Sequence, residues 1–211
     1  MKKTFVAAFA LAATLPAHAA LTTVTGADIY TPSAFAGYSI VADFENFDGL
    51  ETTGPEAIAP GVTFTGDNGS ILGANIAELG PNGIWGAGNF FAAGSYGELR
   101  FTFATLTQSA GALVNFYPFN PPPELEYITM SAYGENNQII ETHKFMISTP
   151  SDSLNMGTFA AITRDSADIK SISFKGFSVV VDNVSVVPEP GTYAMLLAGL
   201  GLIGMIARRR M

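Results

Sequence analysis

Cysteine is absent from this 211-residue chain. Its absence excludes disulfide bonds, thiolate-bound metal ions and thiol nucleophiles. Basic residues are also scarce, because 10 Lys and Arg stand against 18 Asp and Glu, for a formal charge of −8. A nucleic-acid-binding protein needs a basic surface to displace counterions from the phosphates, so nucleic acid is excluded as a partner.

Charge of either sign is sparse, since charged residues make up 13% of the chain and hydrophobic residues 48%. This balance excludes intrinsic disorder and favours a membrane or cell-surface setting. The length suits one domain. With 22 Gly and 12 Pro, the chain is rich in turns.

The N-terminal 19 residues have the three parts of a secretory signal peptide. Lys2 and Lys3 precede an apolar stretch over 4–15, and Ala17-His18-Ala19 follows. Such a stretch is too short to remain as a membrane span, and small residues suit the signal-peptidase cleft. We predict a signal peptide over 1–19, cleaved between Ala19 and Ala20, with an ordinary amphipathic helix as the alternative.

The other terminus combines an apolar run with a basic tail. Val187–Thr192 precedes the apolar run Tyr193–Ala207, and Arg208, Arg209 and Arg210 follow it. We predict a transmembrane helix over 192–207 that the arginines stop on the cytoplasmic side. The body over 20–187 then lies outside the inner membrane. Without the two terminal segments it has 5 basic and 17 acidic residues, a formal charge of −12.

The segment 188–211 resembles the PEP-CTERM sorting signal of Gram-negative bacteria, because Pro188, Glu189 and Pro190 are followed by the apolar run and the arginines. The resemblance implies processing by an exosortase, an integral-membrane transpeptidase that removes the helix. It also implies only a transient inner-membrane anchor. The mature protein is then delivered to the outer surface or to the extracellular exopolysaccharide matrix of a biofilm. A plain tail anchor, with Pro-Glu-Pro as a stiff linker, is the alternative.

The body shows the period-two alternation of β-strands between turn residues. Leu99-Arg100-Phe101-Thr102-Phe103 alternates apolar and polar side chains, and the polar segment 133–137 joins 126–132 to 138–145 as a predicted hairpin. We predict an all-β fold, an antiparallel jelly-roll-like β-sandwich, with Gly73–Gly97 as its longest irregular segment. Further strands are predicted over Ser39–Phe44, Gly61–Thr65, Ala112–Phe116, Gly157–Ile162, Ile169–Phe174 and Ser178–Val187.

A calcium site is predicted from two acidic segments near the ends of the body. Asp182 shares the parity of Val180 and Val184, and a charge facing inward needs a partner. Because first and last strands of a sandwich often neighbour each other, Glu45 and Asp182 could meet around a structural calcium ion. The alternative is that these carboxylates face water or accept backbone hydrogen bonds.

These two segments also carry a second resemblance. Phe44–Phe47 and Val181–Ser185 resemble the stretches that frame a calcium site in galactose-binding-like β jelly rolls. The resemblance therefore implies the same sandwich fold and the same ligand pair.

Aromatic residues in the glycine-rich segment suggest a sugar-binding surface. We predict Trp85 and Tyr96, with Tyr133 as a further candidate, as platforms on which pyranose rings stack, since those rings have apolar faces. The alternative is that these aromatic side chains lie in the core.

Catalytic motifs are not apparent in the sequence. His143 is the one histidine of the body, and there is no G-x-S-x-G or H-E-x-x-H motif. We therefore expect a non-enzymatic surface or matrix protein. A carbohydrate-binding module is the alternative, and a glycan hydrolase that uses two carboxylates ranks last.

Overall fold

The computed structural model describes residues 19–29 and 31–187 of the chain. These residues form fourteen β-strands and three short 3₁₀ turns. The strands are β1 (Ala19–Asp28), β2 (Ser39–Ala42), β3 (Leu50–Glu51), β4 (Glu56–Ala59), β5 (Val62–Thr65), β6 (Ile71–Glu78), β7 (Ile84–Ala93), β8 (Glu98–Thr107), β9 (Ser109–Asn115), β10 (Ile128–Tyr133), β11 (Ile139–Phe145), β12 (Met156–Arg164), β13 (Ile169–Lys175) and β14 (Val180–Val186).

Two antiparallel sheets form a sandwich. The first has the order β1-β12-β9-β14-β7-β6-β3, with β2 also pairing with β14. The second has the order β11-β10-β13-β8-β5-β4. The predicted all-β sandwich is therefore confirmed. The predicted hairpin is also present, as β10 and β11, with Met130 opposite His143.

The main core lies between the sheets, where alternate residues of facing strands meet. It contains Phe64, Phe101 and Phe174, all with no exposed surface. Each such ring stabilises the fold by about 1.5–3 kcal/mol relative to an exposed position. The alternation of apolar and polar residues in 99–103 therefore predicts correctly which face of β8 is buried.

A second apolar cluster covers the opposite face of the first sheet. Trp85, Phe91 and Phe159 lie in this cluster, and the rings of Phe35 and Tyr38 pack edge-on against Phe159 at centroid distances of 4.9 and 5.0 Å. The first sheet is consequently buried on both faces. In keeping with this, six of the seven residues of β14 are buried, although three of the seven are polar.

The prediction of an irregular segment over Gly73–Gly97 is wrong. Most of it belongs to β6 and β7, which pair antiparallel with register shifts on either side of Ala74. Gly73 and Gly86 have φ angles of 70° and 130°, and a Cβ on Gly86 would lie 2.1 Å from the carbonyl oxygen of Asn75. These glycines therefore permit bulges inside a sheet rather than forming a loop.

The two ends of the sandwich differ in what they carry. β1 begins with Ala19 opposite Arg164, and β14 ends with Val186 opposite Ala110. Because β12 and β9 lie between β1 and β14, both chain termini leave the body at one end, which we call the terminal end. The opposite end, called the far end, carries the turns that precede β8 and β14 and the segment 116–127.

Residues 1–18 and 188–211 lie outside the described part of the chain. The predicted signal peptide, the Pro188–Pro190 motif, the transmembrane helix and Arg208–Arg210 fall wholly or largely in these segments. Among the residues that are described, no helix has the length and apolar character needed to cross a membrane.

Candidate functional site

Glu45 and Asp182 line the same surface cleft, as the sequence pattern suggests. The cleft measures about 310 Å³. β2 pairs with β14, so the chain that follows β2 passes close to the middle of β14. The lining residues are Ile29, Asp43, Glu45, Gly88, Asn89, Asp182 and Asn183.

Three residues with positive φ shape the cleft. The values are 63° for Phe44, 57° for Ala87 and 50° for Asn183. Non-glycine residues rarely adopt this conformation, and it interrupts strand pairing where it occurs. The ladder between β14 and β9 shifts between Asp182 and Ser185, which lets β14 keep apolar contacts on both faces while Asp182 borders the cleft.

Asp182 is the buried acid of the cleft, with 1% of its surface exposed. Its Oδ1 accepts a 2.6 Å hydrogen bond from the Asn183 backbone N–H, and its Oδ2 accepts a 3.2 Å bond from Asn89 Nδ2. Burial raises the pKa of Asp182 to about 8, against the opposing effect of these bonds, and the charges of Glu45 and Asp43 raise it further. The carboxyl is therefore largely protonated at neutral pH.

Glu45 and Asp43 form the solvent-exposed rim of the cleft. Glu45 Oε1 accepts a 3.1 Å hydrogen bond from the Phe90 backbone N–H, which links the rim to β7. Asp43 Oδ1 accepts a 3.4 Å bond from the Glu45 backbone N–H. The cleft thus presents three carboxyl groups, one buried and two exposed.

The donor set of the cleft is suited to a hard cation. Carboxylate and amide oxygens are the ligands that calcium prefers, and calcium takes six to eight of them. Within 19–29 and 31–187, no three acidic or histidine side chains converge as a ready-made metal cluster. Calcium held by Glu45 and Asp182 would therefore need amide, backbone and water oxygens to complete its shell.

Trp85 is not available as a sugar platform, which corrects that prediction. Its side chain has no exposed surface, its ring packs edge-on against Phe91 at 5.5 Å, and its Nε1 donates to the Met156 carbonyl at 2.7 Å. Tyr133 is likewise buried, with the Arg100 guanidinium 3.5 Å from its ring centroid. Both rings lie where their apolar area contributes to the fold.

Tyr96 lies in an exposed aromatic cluster at the far end. The cluster comprises Tyr96, Tyr117, Phe119 and Phe177. Tyr96 is 60% exposed and Phe119 63%. Phe177 joins the cluster, with ring centroids 5.2 Å from Tyr96 and 5.7 Å from Tyr117, and Phe119 lies 6.4 Å from Tyr117.

Backbone hydrogen bonds hold the aromatic cluster in place. The Tyr117 N–H donates to the Phe177 carbonyl at 3.0 Å, and the Ser178 N–H to the Ser95 carbonyl at 2.8 Å. Asp67 Oδ2 also accepts a 3.1 Å bond from the Tyr96 N–H. Sequence reasoning missed Tyr117, Phe119 and Phe177. The sequence feature that could have identified them is that each of these aromatic residues stands next to a proline or a glycine.

His143 lies on β11 beside Glu141. Its Nε2 lies 3.0 Å from Glu141 Oε1, and Arg164 Nη1 lies 3.6 Å from Glu141 Oε2. Arg164 Nε also donates to Asp168 Oδ1 at 2.7 Å. The contacts of Arg164 link β11, at the edge of the second sheet, to β12 of the first sheet and to the turn that follows it.

Comparison with known proteins identifies the C-terminal part of the chain. No curated protein matches the chain. A family model described as the PEP-CTERM protein-sorting motif matches residues 186–210. The match starts at Val186, in the last strand of the body, and includes Pro188–Pro190 and the arginines. The chain therefore carries a C-terminal PEP-CTERM sorting motif, which supports an exported protein with an exosortase as its processing partner.

Proposed function

We propose that the mature protein is a non-catalytic component of the outer surface or exopolysaccharide matrix of a Gram-negative bacterium, where it binds polysaccharide through the aromatic cluster. The observation that carries this proposal is a chain of four contacting rings at the end opposite both termini of the body, in which Tyr96 and Phe119 are exposed and Tyr117 and Phe177 are half-buried. After processing, this surface remains free for a ligand in a biofilm matrix.

The chemistry of the aromatic cluster favours neutral sugars. Pyranose faces are apolar and stack on tyrosine and phenylalanine rings, which present a large area at low entropy cost. The body carries a formal charge of −12, so it repels strongly anionic polymers at low ionic strength. A neutral polysaccharide is the ligand class that both features support.

The acids of the cleft support the non-catalytic part of the proposal. A glycan hydrolase needs a pair of carboxyl groups that both reach the substrate. Asp182 is 1% exposed, and each of its oxygens already accepts a hydrogen bond, from Asn183 and from Asn89. The buried carboxyl of Asp182 therefore does not reach a sugar at the surface.

Replacement of the exposed rings tests polysaccharide binding. We expect Tyr96→Ala and Phe119→Ala each to weaken binding to a neutral polysaccharide by roughly threefold to tenfold, because one stacked ring contributes about 0.5–1.5 kcal/mol. Affinity electrophoresis in gels that contain a neutral glucan or galactan measures the change.

Tyr127→Ala is the matched control, because Tyr127 is 44% exposed and belongs to no ring pair among the described residues. Equal mobility of all the variants, with or without polysaccharide, would contradict binding at the aromatic cluster. Release of reducing sugar by the wild-type protein would contradict the non-catalytic assignment.

We propose a structural calcium ion in the cleft as a second property. Asp43, Glu45 and Asp182 place three carboxyl groups around one cleft. A divalent cation would relieve their mutual repulsion and would stabilise the ionised form of Asp182. Bound calcium would hold β14 to the segment that follows β2, as a clamp rather than as a reaction centre.

Calcium is expected to raise the melting temperature at pH 8. At a calcium concentration of 100 times the Kd, the stabilisation is about 2.7 kcal/mol, or roughly 5–10 °C for a domain of this size. Differential scanning calorimetry in chelator and then in calcium measures the shift. Glu45→Gln should abolish it, whereas Glu126→Gln, at an exposed position outside the cleft, should leave it intact. A melting temperature unchanged at millimolar calcium would remove the clamp.

A further inference from the structure

The sorting motif begins inside the folded body. The family match starts at Val186, which pairs with Ala110 on one side and with Ser39 on the other. The next residue, Val187, donates its N–H to the Ser109 carbonyl at 3.0 Å, and its own carbonyl accepts a 3.4 Å bond from Thr107 Oγ1. Val187, the last residue that the structure describes, is thus hydrogen-bonded to the sandwich and directly precedes Pro188 in the sequence.

The reach of the chain limits how far an enzyme acting on the motif can stay from the body. Fully extended residues span about 3.3–3.6 Å each, so Pro190 lies within roughly 10 Å of Val187. By the same measure the apolar run that begins at Tyr193 starts within about 20 Å. A folded sandwich and a membrane-embedded exosortase cannot both occupy this interval without lying against each other.

The N-terminus leaves from the same end of the sandwich. β1 begins at Ala19, and two strands lie between it and β14, so the two termini are about 14 Å apart at ordinary strand spacing. The exposed turn residues at this end include Pro60, Gly61, Ser166 and Ala167. The same end also exposes larger polar side chains, at Glu135, Gln138 and Asp165, so it offers an enzyme a mixed polar surface.

We propose that the terminal end of the sandwich is the surface that faces the exosortase during processing, while the aromatic cluster points away from the membrane. The terminal end comprises the turns 59–61, 107–109, 134–138 and 164–168 together with Ala19 and Val187. A strand as long as β14 spans about 20 Å, which separates the aromatic cluster from the enzyme. The polysaccharide surface thus stays uncovered while the protein is anchored.

Site-specific photo-cross-linking of the full chain in cells that contain the exosortase tests this orientation. A photoreactive amino acid is placed at Ser166, in the terminal end, or at Ser151, in the turn that precedes β12 at the far end. Both serines are exposed. We expect an adduct with the exosortase, identified by mass spectrometry, when the photoreactive residue is at position 166. We expect no such adduct when it is at position 151.

A spacer provides the second arm of the test. Ten Gly and Ser residues inserted between Val187 and Pro188 add roughly 18 Å of flexible reach. We expect the adduct from position 166 to be lost while the exosortase still removes the C-terminal segment. An equal adduct from both positions, an adduct that survives the spacer, or normal cleavage with no adduct from position 166 would each overturn the proposal. Equal melting temperatures of the variants verify that the body is folded.

Discussion

Asn82→Ala is expected to lower the free energy of unfolding by about 3–5 kcal/mol, since it leaves several buried polar groups without partners. Asn82 is 2% exposed and lies between β6 and β7. Its Nδ2 donates to Asn115 Oδ1 at 3.0 Å and to the Phe116 carbonyl at 3.1 Å, and its Oδ1 accepts the Thr149 N–H at 3.2 Å.

The network around Asn82 joins three parts of the far end. Asn115 Nδ2 donates to the Asn82 carbonyl at 3.2 Å and to the Met156 carbonyl at 2.7 Å. Thr149 Oγ1 donates to the Asn82 carbonyl at 2.8 Å. A Cβ on Gly80, in the same turn, would lie 2.7 Å from Tyr117 Cε2. The network therefore also supports the aromatic cluster.

Urea denaturation, monitored by tryptophan fluorescence, measures the effect of Asn82→Ala. Asn68→Ala is the matched control, because Asn68 also precedes a glycine but lies in an exposed turn. We expect that control to change stability by no more than about 0.5 kcal/mol. Similar denaturation midpoints for the two variants would show that the buried network contributes little.

In chelator, the protein is expected to lose stability as the pH rises from 4 to 8. The folded-state pKa of Asp182 is raised to about 8 by burial, whereas an unfolded aspartate titrates near 3.9. Its stabilising contribution is therefore complete below the unfolded pKa and is lost as the pH rises through the folded pKa. The expected loss is on the order of a few kcal/mol, because ionisation must place a charge in a buried site.

Chemical denaturation at several pH values compares the wild-type protein with Asp182→Asn. The amide keeps the shape of the side chain but does not ionise, so we expect the fall in stability between pH 4 and pH 8 to flatten. Asp152→Asn, at an exposed turn position, should retain the wild-type profile. Identical profiles for wild type and Asp182→Asn would mean that another group controls the pH response.

Most strands could be predicted because each is a local pattern. In 99–103, Leu and Phe alternate with Arg and Thr, and a half-buried strand imposes this period. The hairpin between β10 and β11 was equally clear, because its turn is short and polar. The β6–β7 pair was missed, since glycines that permit bulges inside a sheet resemble those that form loops.

The candidate site was predictable only in part. The parity of Asp182 among valines indicated a buried acid that needs a partner, and the structure places it in one cleft with Glu45. The position of Trp85 in a glycine-rich segment suggests an exposed sugar-binding ring, whereas the structure buries it in the apolar cluster on the outer face of the first sheet. Which aromatic rings are buried depends on contacts between residues far apart in the chain, which one sequence pattern does not contain.

The sequence by itself determined the acidic, cysteine-free all-β character of the body and the sorting signal, because composition, strand period and a contiguous motif are local properties. The tertiary structure alone decided that both termini leave from one end and that the exposed aromatic rings gather at the other. The physical reason is that strand order is set by long-range pairing, which brings together segments such as β1 and β12 across most of the chain.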